Sequence, residues 1–430
     1  MRHSLGLVCW LGLLAGITTM AHGAEEIPIT GRAHPEMEPF DTMMTRFLAE
    51  HHVVGAALAV TRAGKLVYAR GFGWANKEAQ TKVAPGSRFR IASVSKPITA
   101  VAVLRLVEEG KLKLGDRAFE LLKLQPLPQA GFKADGRSNA ITVLELLQHR
   151  GGFDRDKSLD PMFQSVPFAE IAGHASPATP TDIIRIMEGR PLDFAPGERY
   201  AYSNFGYCVL GRLIESVSGR AYGTFVKQTV LLPLKIEHME LGRTLLRERA
   251  DGEVHYYPGK PQLGKSIFPG IKQEVAQPYG WWCLESMDSH GGWIASAPDL
   301  VRFASALDDP VESGILKPAT VAEMFKRPPG AAGLEGGKPE GKPAAVWYGC
   351  GWSVREAGGG KINTWHTGLL DGTSSLLVRR ADGLDWAVLF NQDCDENGKV
   401  LADLIDPLVH KAADAVKQWP AGLERDKLWP

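Results

Sequence analysis

Neither sign of charge prevails in these 430 residues: lysine plus arginine number 49, and so do aspartate plus glutamate. A nucleic-acid surface announces itself as a basic excess or a basic run. Neither is present, which points to a small molecule or peptide as the ligand and away from nucleic acid. Cysteine is sparse, five in all, and no Cys-x-x-Cys pair or His-Glu-x-x-His string occurs. No metal site is therefore recognisable, and no cofactor is expected. Past the N-terminus no run approaches the roughly 20 apolar residues that a membrane-spanning helix needs. Hydrophobic residues at 44% and charged ones at 23% are ordinary proportions for a folded chain, which excludes a disordered or fibrous one.

The N-terminus is a separate matter. Arg2 is the sole charge before Glu25, the apolar run Leu5–Ile17 follows it, and Ala21 and Gly23 are small. A positive tip, a short apolar core and a small-residue end describe a cleavable signal peptide, here residues 1–23 with the cut after Gly23. An uncleaved anchor is the weaker reading, because the apolar run is short for a span. Export to the periplasm or medium is the expectation, and with it conditions that permit disulfides. Cys208, Cys283, Cys350 and Cys394 would remain in the mature chain. Four cysteines allow three pairings, between which sequence does not choose; buried free thiols are the simpler alternative.

Periodicity sketches the rest. Residues 53–60 and 65–71 predict two strands joined at Arg62-Ala63-Gly64. Residues 92–109 are apolar on nearly every face, a buried helix stopped by Gly110. Thr142 with Glu145 three residues on is a capping box for a helix over 143–149. Phe205, Val209, Leu213 and Val217 mark one face of a helix over 204–217. Asp382-Gly383 between 374–378 and 384–390 is a hairpin signal. A final helix over 400–416 contains Pro407, expected to break or kink it. The stretch 328–343, rich in Gly, Pro and Lys, reads as a loop. Strands at both ends with helices between predict an α/β (α+β) chain: an antiparallel sheet flanked by helices, interrupted by a helical insertion.

Three short motifs carry the chemistry. In Ser93-Val94-Ser95-Lys96, helical spacing brings the Lys96 amine toward the Ser93 hydroxyl, and serine becomes a nucleophile when a neighbouring base takes its proton. About one Ser-x-x-Lys is expected by chance, and an N-cap serine with a solvated lysine would look the same. Tyr202-Ser203-Asn204 offers a phenol for proton transfer and an amide for a carbonyl or a lysine; a core tyrosine before an Asn N-cap also fits. His366-Thr367-Gly368 offers two hydrogen-bonding side chains and a glycine that lets a substrate backbone come close. The bland counterpart is a strand-end turn with an exposed histidine.

Taken together, in this order and spacing, the motifs resemble the penicillin-binding protein and class C β-lactamase family of serine hydrolases. The resemblance extends to Phe89-Arg90-Ile91-Ala92, Leu146-Leu147, Pro196-Gly197, Gly291-Gly292 and Tyr348-Gly349, over about residues 38–395. It implies a β-lactamase/transpeptidase-like fold, with an α/β lobe from residues 35–110 and 290–418, a mainly helical lobe from 111–289, and a tail at 419–430. It implies an acyl-enzyme on Ser93, with Lys96 and Tyr202 sharing the proton traffic and the choice of acylation base left open. The oxyanion would sit between the backbone N–H groups of Ser93 and Leu369. Asn204, His366, Thr367 and Gly368 would bind substrate, a D-amino-acid peptide, amide or ester. No deacylating residue is identified, and the oligomeric state is open.

Class C β-lactamases typically carry lysine where this chain has His366. Histidine is charged only part of the time near neutral pH. The expectation is a part-time cation receiving a substrate carboxylate, as in D-alanyl carboxypeptidases and D-aminopeptidases of the family. Two alternatives stand beside it: a family VIII carboxylesterase or slow β-lactamase, and a penicillin-binding sensor acylated without turnover. An unrelated α/β-hydrolase is disfavoured by the lack of any Gly-x-Ser-x-Gly elbow.

Overall fold

A computed structural model describes residues 26–329 and 346–424. The signal-peptide reading of 1–23, nearly all of the 328–343 loop, and the tail beyond 424 lie outside the described residues.

The chain opens with helix α1 (Glu38–Glu50), then strands β1 (Gly55–Arg62) and β2 (Lys65–Asn76). Helix α2 (Ser95–Glu108) leads into a series of mostly short helices, among them α3 (Val143–Leu147) and α4 (Asn204–Ser218). Helix α5 (Ala297–Ser305) returns to the sheet. Strands β3 (Val346–Tyr348), β4 (Ser353–Gly358), β5 (Lys361–Leu370), β6 (Thr373–Arg379) and β7 (Leu384–Phe390) follow, and α6 (Leu401–Ala415) closes the chain. Among the described residues the main sheet runs β2-β1-β7-β6-β5-β4-β3, antiparallel throughout, with two-residue strands Ile29–Thr30 and Thr81–Lys82 on β2. The fold class predicted from the alternation of strands and helices is the one observed.

Both faces of the sheet are buried, and the two faces differ in size. Side chains alternate along a strand, so Leu58, Val60, Trp386, Val388 and Phe390 point to one side, where they meet Phe40 and Met44 of α1 and Ile405 and Val409 of α6. Ala57, Ala59, Ala387 and Leu389 point to the other, toward Leu300, Val301 and Ala304 of α5. Bulky residues hold the outer helices and small ones let α5 settle close to the sheet. Helix α2 contributes to the same core as α5 and is buried along nearly its whole length, as its all-round apolar sequence requires.

Several expectations need adjustment. Ser93 lies in a 3₁₀ turn, Ala92–Val94, and the α-helix begins at Ser95. Pro97 is then the third helical residue, within the first turn, where N–H groups have no intrahelical partner anyway. Helix α6 continues through Pro407 without ending. None of the three disulfide pairings forms: Cys208, Cys283, Cys350 and Cys394 are free, and Cys394 is only half-buried. No helix among the described residues is long and apolar enough to cross a membrane.

The Thr142–Glu145 capping box is present in both halves: Thr142 Oγ1 accepts from the Glu145 N–H at 3.2 Å, and Glu145 accepts from the Thr142 N–H at 2.8 Å. Replacing Thr142 with alanine should cost about 1 kcal/mol, read as a lower midpoint in urea with an unchanged slope.

Candidate active site

Three segments distant in sequence meet in one cleft of about 520 Å³. The turn Ala92–Val94 brings Ser93, the loop before α4 brings Tyr202, α4 begins with Asn204, and β5 runs along one wall with Thr367, Gly368 and Leu369.

The Ser93 turn is held from below by the sheet. Thr373 Oγ1 donates to the Arg90 carbonyl at 2.9 Å and Ser375 Oγ donates to the Ile91 carbonyl at 2.7 Å. Ala92, next to the serine, has φ +45°, a left-handed conformation that a non-glycine residue adopts only at some cost. Gly368 makes this approach feasible: a Cβ there would sit 2.3 Å from both the Ile91 carbonyl oxygen and Ser375 Oγ. The space opened by the third motif's glycine is thus occupied by the chain's own serine turn, not reserved for a substrate backbone.

Lys96 is 0% exposed. Its Nζ lies 2.9 Å from Ser93 Oγ, 2.8 Å from Asn204 Oδ1 and 3.1 Å from the His290 carbonyl oxygen. Burial pushes its pKa well below the usual lysine range; the nearby Arg155 charge adds to that and Asp160 opposes it. In its neutral form, which burial favours, the amine has two N–H groups and one lone pair. Asn204 Oδ1 and the His290 carbonyl are acceptors only and take the two N–H groups, so the lone pair is left for the Ser93 O–H. The Tyr202 ring centroid is 4.7 Å from Nζ, with the Arg155 guanidinium 4.7 Å from the same ring. Asn204 is the first residue of α4 and Ser203 is the N-cap, accepting from the Gly206 N–H at 3.2 Å. The asparagine amide is therefore free of capping duty and turns to Lys96.

His366 departs from expectation. The motif lies inside β5, not in a strand-end turn, and the strand's alternation turns His366 inward, 4% exposed. Nδ1 donates to the Thr367 carbonyl at 2.6 Å, which leaves Nε2 to accept from the Tyr348 hydroxyl at 2.9 Å. Burial pushes its pKa down to about 3, a protonated Lys96 would push the same way, and the Thr367 carbonyl pulls against both. A neutral ring with both nitrogens engaged is no receptor for a carboxylate. Thr367 and Leu369 alternate outward, and Leu369 is 48% exposed. Strand β4 pairs with β5 only as far as Ser353↔Trp365, so the β5 edge from His366 onward is unpaired on that side.

Three residues escaped the sequence reading. His149, just past α3, has φ +55° and packs at 4.4 Å ring to ring against both Tyr202 and Tyr348. Its Nδ1 accepts from the Ser203 N–H at 3.2 Å, and burial holds it neutral, its pKa well below the usual histidine value. Arg155 lines the cleft. Asp160 Oδ2 accepts from Asn204 Nδ2 at 2.6 Å. A histidine followed by Gly151-Gly152 was the one signal available for the first; the other two stand in a stretch without periodicity.

A buried lysine amine against a serine hydroxyl, in a cleft lined by a sheet strand and the start of a helix, defines a serine hydrolase. The chain belongs to the β-lactamase family, whose family model, Beta-lactamase, matches residues 40–409. Among curated proteins it is similar to Protein flp of Staphylococcus aureus (strain COL), 26% identical over 232 residues, which are 54% of this chain and 44% of that protein. The chain thus spans less than half the length of that relative. Two solved structures share its fold. D-amino acid amidase from Ochrobactrum anthropi SV3 superposes with a TM-score of 0.65 at 21% identity, covering 88% of this chain and 98% of that one. EstCE1, a hydrolase with promiscuous acyltransferase activity, gives 0.61 at 21% identity, covering 89% and 98%.

Gly368→Ala should lose about 1–3 kcal/mol of stability or more and slow acylation of Ser93 by displacing its turn. Gly115→Ala, where a Cβ meets open space, should leave both unchanged. Thermal melts and an acylation rate check the pair; equal behaviour of the two variants would refute the packing argument.

Proposed function

We propose that this chain hydrolyses amides or esters that carry no carboxylate beside the scissile bond, through an acyl-enzyme on Ser93, with D-amino-acid amides as the leading substrate class. The observation that carries the reading is the Lys96 network. Two carbonyl oxygens take the N–H groups of a lysine whose burial favours the neutral amine, and the remaining lone pair faces Ser93 Oγ. Lys96 is then the acylation base. As Oγ bonds to the substrate carbonyl carbon, its proton passes to Nζ. The tetrahedral oxyanion is received by the backbone N–H groups of Ser93 and Leu369. Collapse breaks the bond to the leaving amine or alcohol, which takes a proton from Lys96 by way of Tyr202. Water then attacks the acyl carbonyl, its proton going to the same amine, and Ser93 is restored.

Substrate class follows from charge. A β-lactam or a D-alanyl-D-alanine peptide presents a carboxylate beside the scissile bond, and His366 is too buried and too neutral to meet it. Arg155 lines the cleft, but its charge is already turned to Asp156 and Asp160, at 3.8 and 3.9 Å. Amides and esters make no such demand. The shared fold with a D-amino acid amidase supports the amide side. Phe163, Trp365, Leu370 and Val400 in the cleft lining favour a second reading, a carboxylesterase for apolar acyl groups. The Arg2 tip, the Leu5–Ile17 core and the small residues Ala21 and Gly23 support export with cleavage after Gly23, which N-terminal sequencing of the secreted protein tests.

Intact-mass spectrometry after a slow acylating inhibitor should find one adduct, on the Ser93 peptide, and Ser93→Ala should be inactive. Lys96→Ala should lower kcat by about 10²- to 10⁴-fold. An adduct elsewhere, or normal kcat in Lys96→Ala, would sink the mechanism.

The pH dependence has a definite sign. As pH falls through the depressed pKa of Lys96, the amine gains a proton, the lone pair is lost, and kcat/KM should fall for every substrate. His366 stays neutral above pH ~4, its pKa being about 3. KM values for carboxylate-bearing and neutral substrates should therefore run parallel between about pH 6 and 8.5. A KM that rises over this range only for carboxylate substrates would restore His366 as their receptor.

A further inference from the structure

We propose that Asp160 is a positioning residue that fixes the orientation of the Asn204 amide and so keeps the Lys96 lone pair available to Ser93. The inference rests on the reading of Lys96 as the base.

An asparagine side chain has a donor end and an acceptor end of nearly the same shape, and only its partners decide which way it faces. On one side of Asn204 stands Lys96 Nζ, 2.8 Å from Oδ1; on the other stands Asp160 Oδ2, 2.6 Å from Nδ2. An ionised carboxylate only accepts. A flipped amide would set its oxygen against the carboxylate and turn Nδ2 toward Lys96. Its N–H would then donate to the amine's lone pair, the pair that must receive the Ser93 proton. The carboxylate penalises that flip twice, by repelling Oδ1 and by withdrawing a charge-assisted hydrogen bond.

Asp160 is itself held in place. Its Oδ1 caps the turn Pro161–Phe163 by accepting from the Met162 N–H at 3.1 Å, Arg155 Nη1 lies 3.9 Å from Oδ2, and the side chain is only 15% exposed. Phe163 of the same turn lines the cleft. The segment that shapes the substrate wall thus also orients the base, through Asn204 and without touching the reacting atoms.

Asp160→Asn isolates the effect. Asparagine caps as well as aspartate, so the turn survives, but it offers a donor as well as an acceptor and carries no charge. The groups facing Lys96 are the Ser93 hydroxyl, the Asn204 amide, the His290 carbonyl, the rings of Tyr202 and Tyr207, the neutral histidines 149, 290 and 366, and the charges of Arg155 and Asp160. Of the two charges, Asp160 favours the protonated lysine and Arg155 disfavours it. Loss of the carboxylate should therefore move the acid limb of the rate profile to lower pH, and Arg155→Gln should move it to higher pH.

The test uses the full chain and a fluorophosphonate, which bonds to Ser93 Oγ as fluoride leaves, with the adduct counted by mass against time and pH. Asp160→Asn should react roughly 10- to 100-fold more slowly on the pH plateau, the rate equivalent of one charge-assisted hydrogen bond. Its acid limb should fall below that of the wild type, and Asp160→Glu should recover part of the rate. If Asp160→Asn does not fold, Asp160→Ser, which also caps, is read in its place. A slower variant whose acid limb has not moved means a merely structural loop and overturns the proposal, as does a variant indistinguishable from wild type. A wild type that never forms the Ser93 adduct fails the acyl-enzyme reading itself, a result separate from either.

Discussion

Taking the Lys96 amine out of water is the constraint on which the site depends. An ammonium buried this deeply is costly unless its neighbours compensate it. The neighbours here are two carbonyl oxygens, a serine hydroxyl, an aromatic ring and one carboxylate at second remove. They satisfy the N–H groups of a neutral amine and supply little charge to hold a third proton. The rest of the cleft serves that environment. Gly368 admits the serine turn, the Thr373 and Ser375 hydroxyls pin it to the sheet, and helix α4 starts one residue early enough, with Ser203 as its N-cap, to spare the Asn204 amide from capping.

The same dryness accounts for the histidines. His149, His290 and His366 are each pushed toward the neutral form, chiefly by burial, and a protonated Lys96 would push all three the same way. Three imidazoles around one lysine would compete for protons in water; in this setting all three behave as uncharged packing and hydrogen-bonding groups. His366 keeps Tyr348 and the Thr367 carbonyl in register with β5. It lines the cleft together with Thr367 and Leu369 but, largely buried, contributes there as a neutral hydrogen-bonded ring.

Much of this was legible in the residues. The alternation of strands and helices, the Thr142–Glu145 box, the Asp382-Gly383 hairpin and the Ser-x-x-Lys spacing all depend on neighbours a few positions apart, and such signals survive in one dimension. The left-handed Ala92, the inward turn of His366 and the Asp160–Asn204 contact do not. Whether residue 366 faces in or out is set by which face of β5 packs against the interior, a tertiary fact. Asp160 lies 44 positions from Asn204, in a segment with no period to flag it. Pro407 looked like a helix breaker and is accommodated in a helix held by the sheet's bulky face.

One consequence lies in how such a molecule must assemble. Strand β1 pairs on one side with its neighbour β2 and on the other with β7, Ala57 opposite Leu389. The Ser93 turn in turn leans on Thr373 and Ser375. The central seam of the sheet therefore waits for the last sixth of the chain, and contacts so far apart in sequence form late and slowly. A chain still being synthesised, or one cut short before β6, holds the serine and the lysine but lacks the hydroxyls that seat their turn. Turnover thus reports on the finished molecule, and a truncated chain carrying all three motifs would be inert.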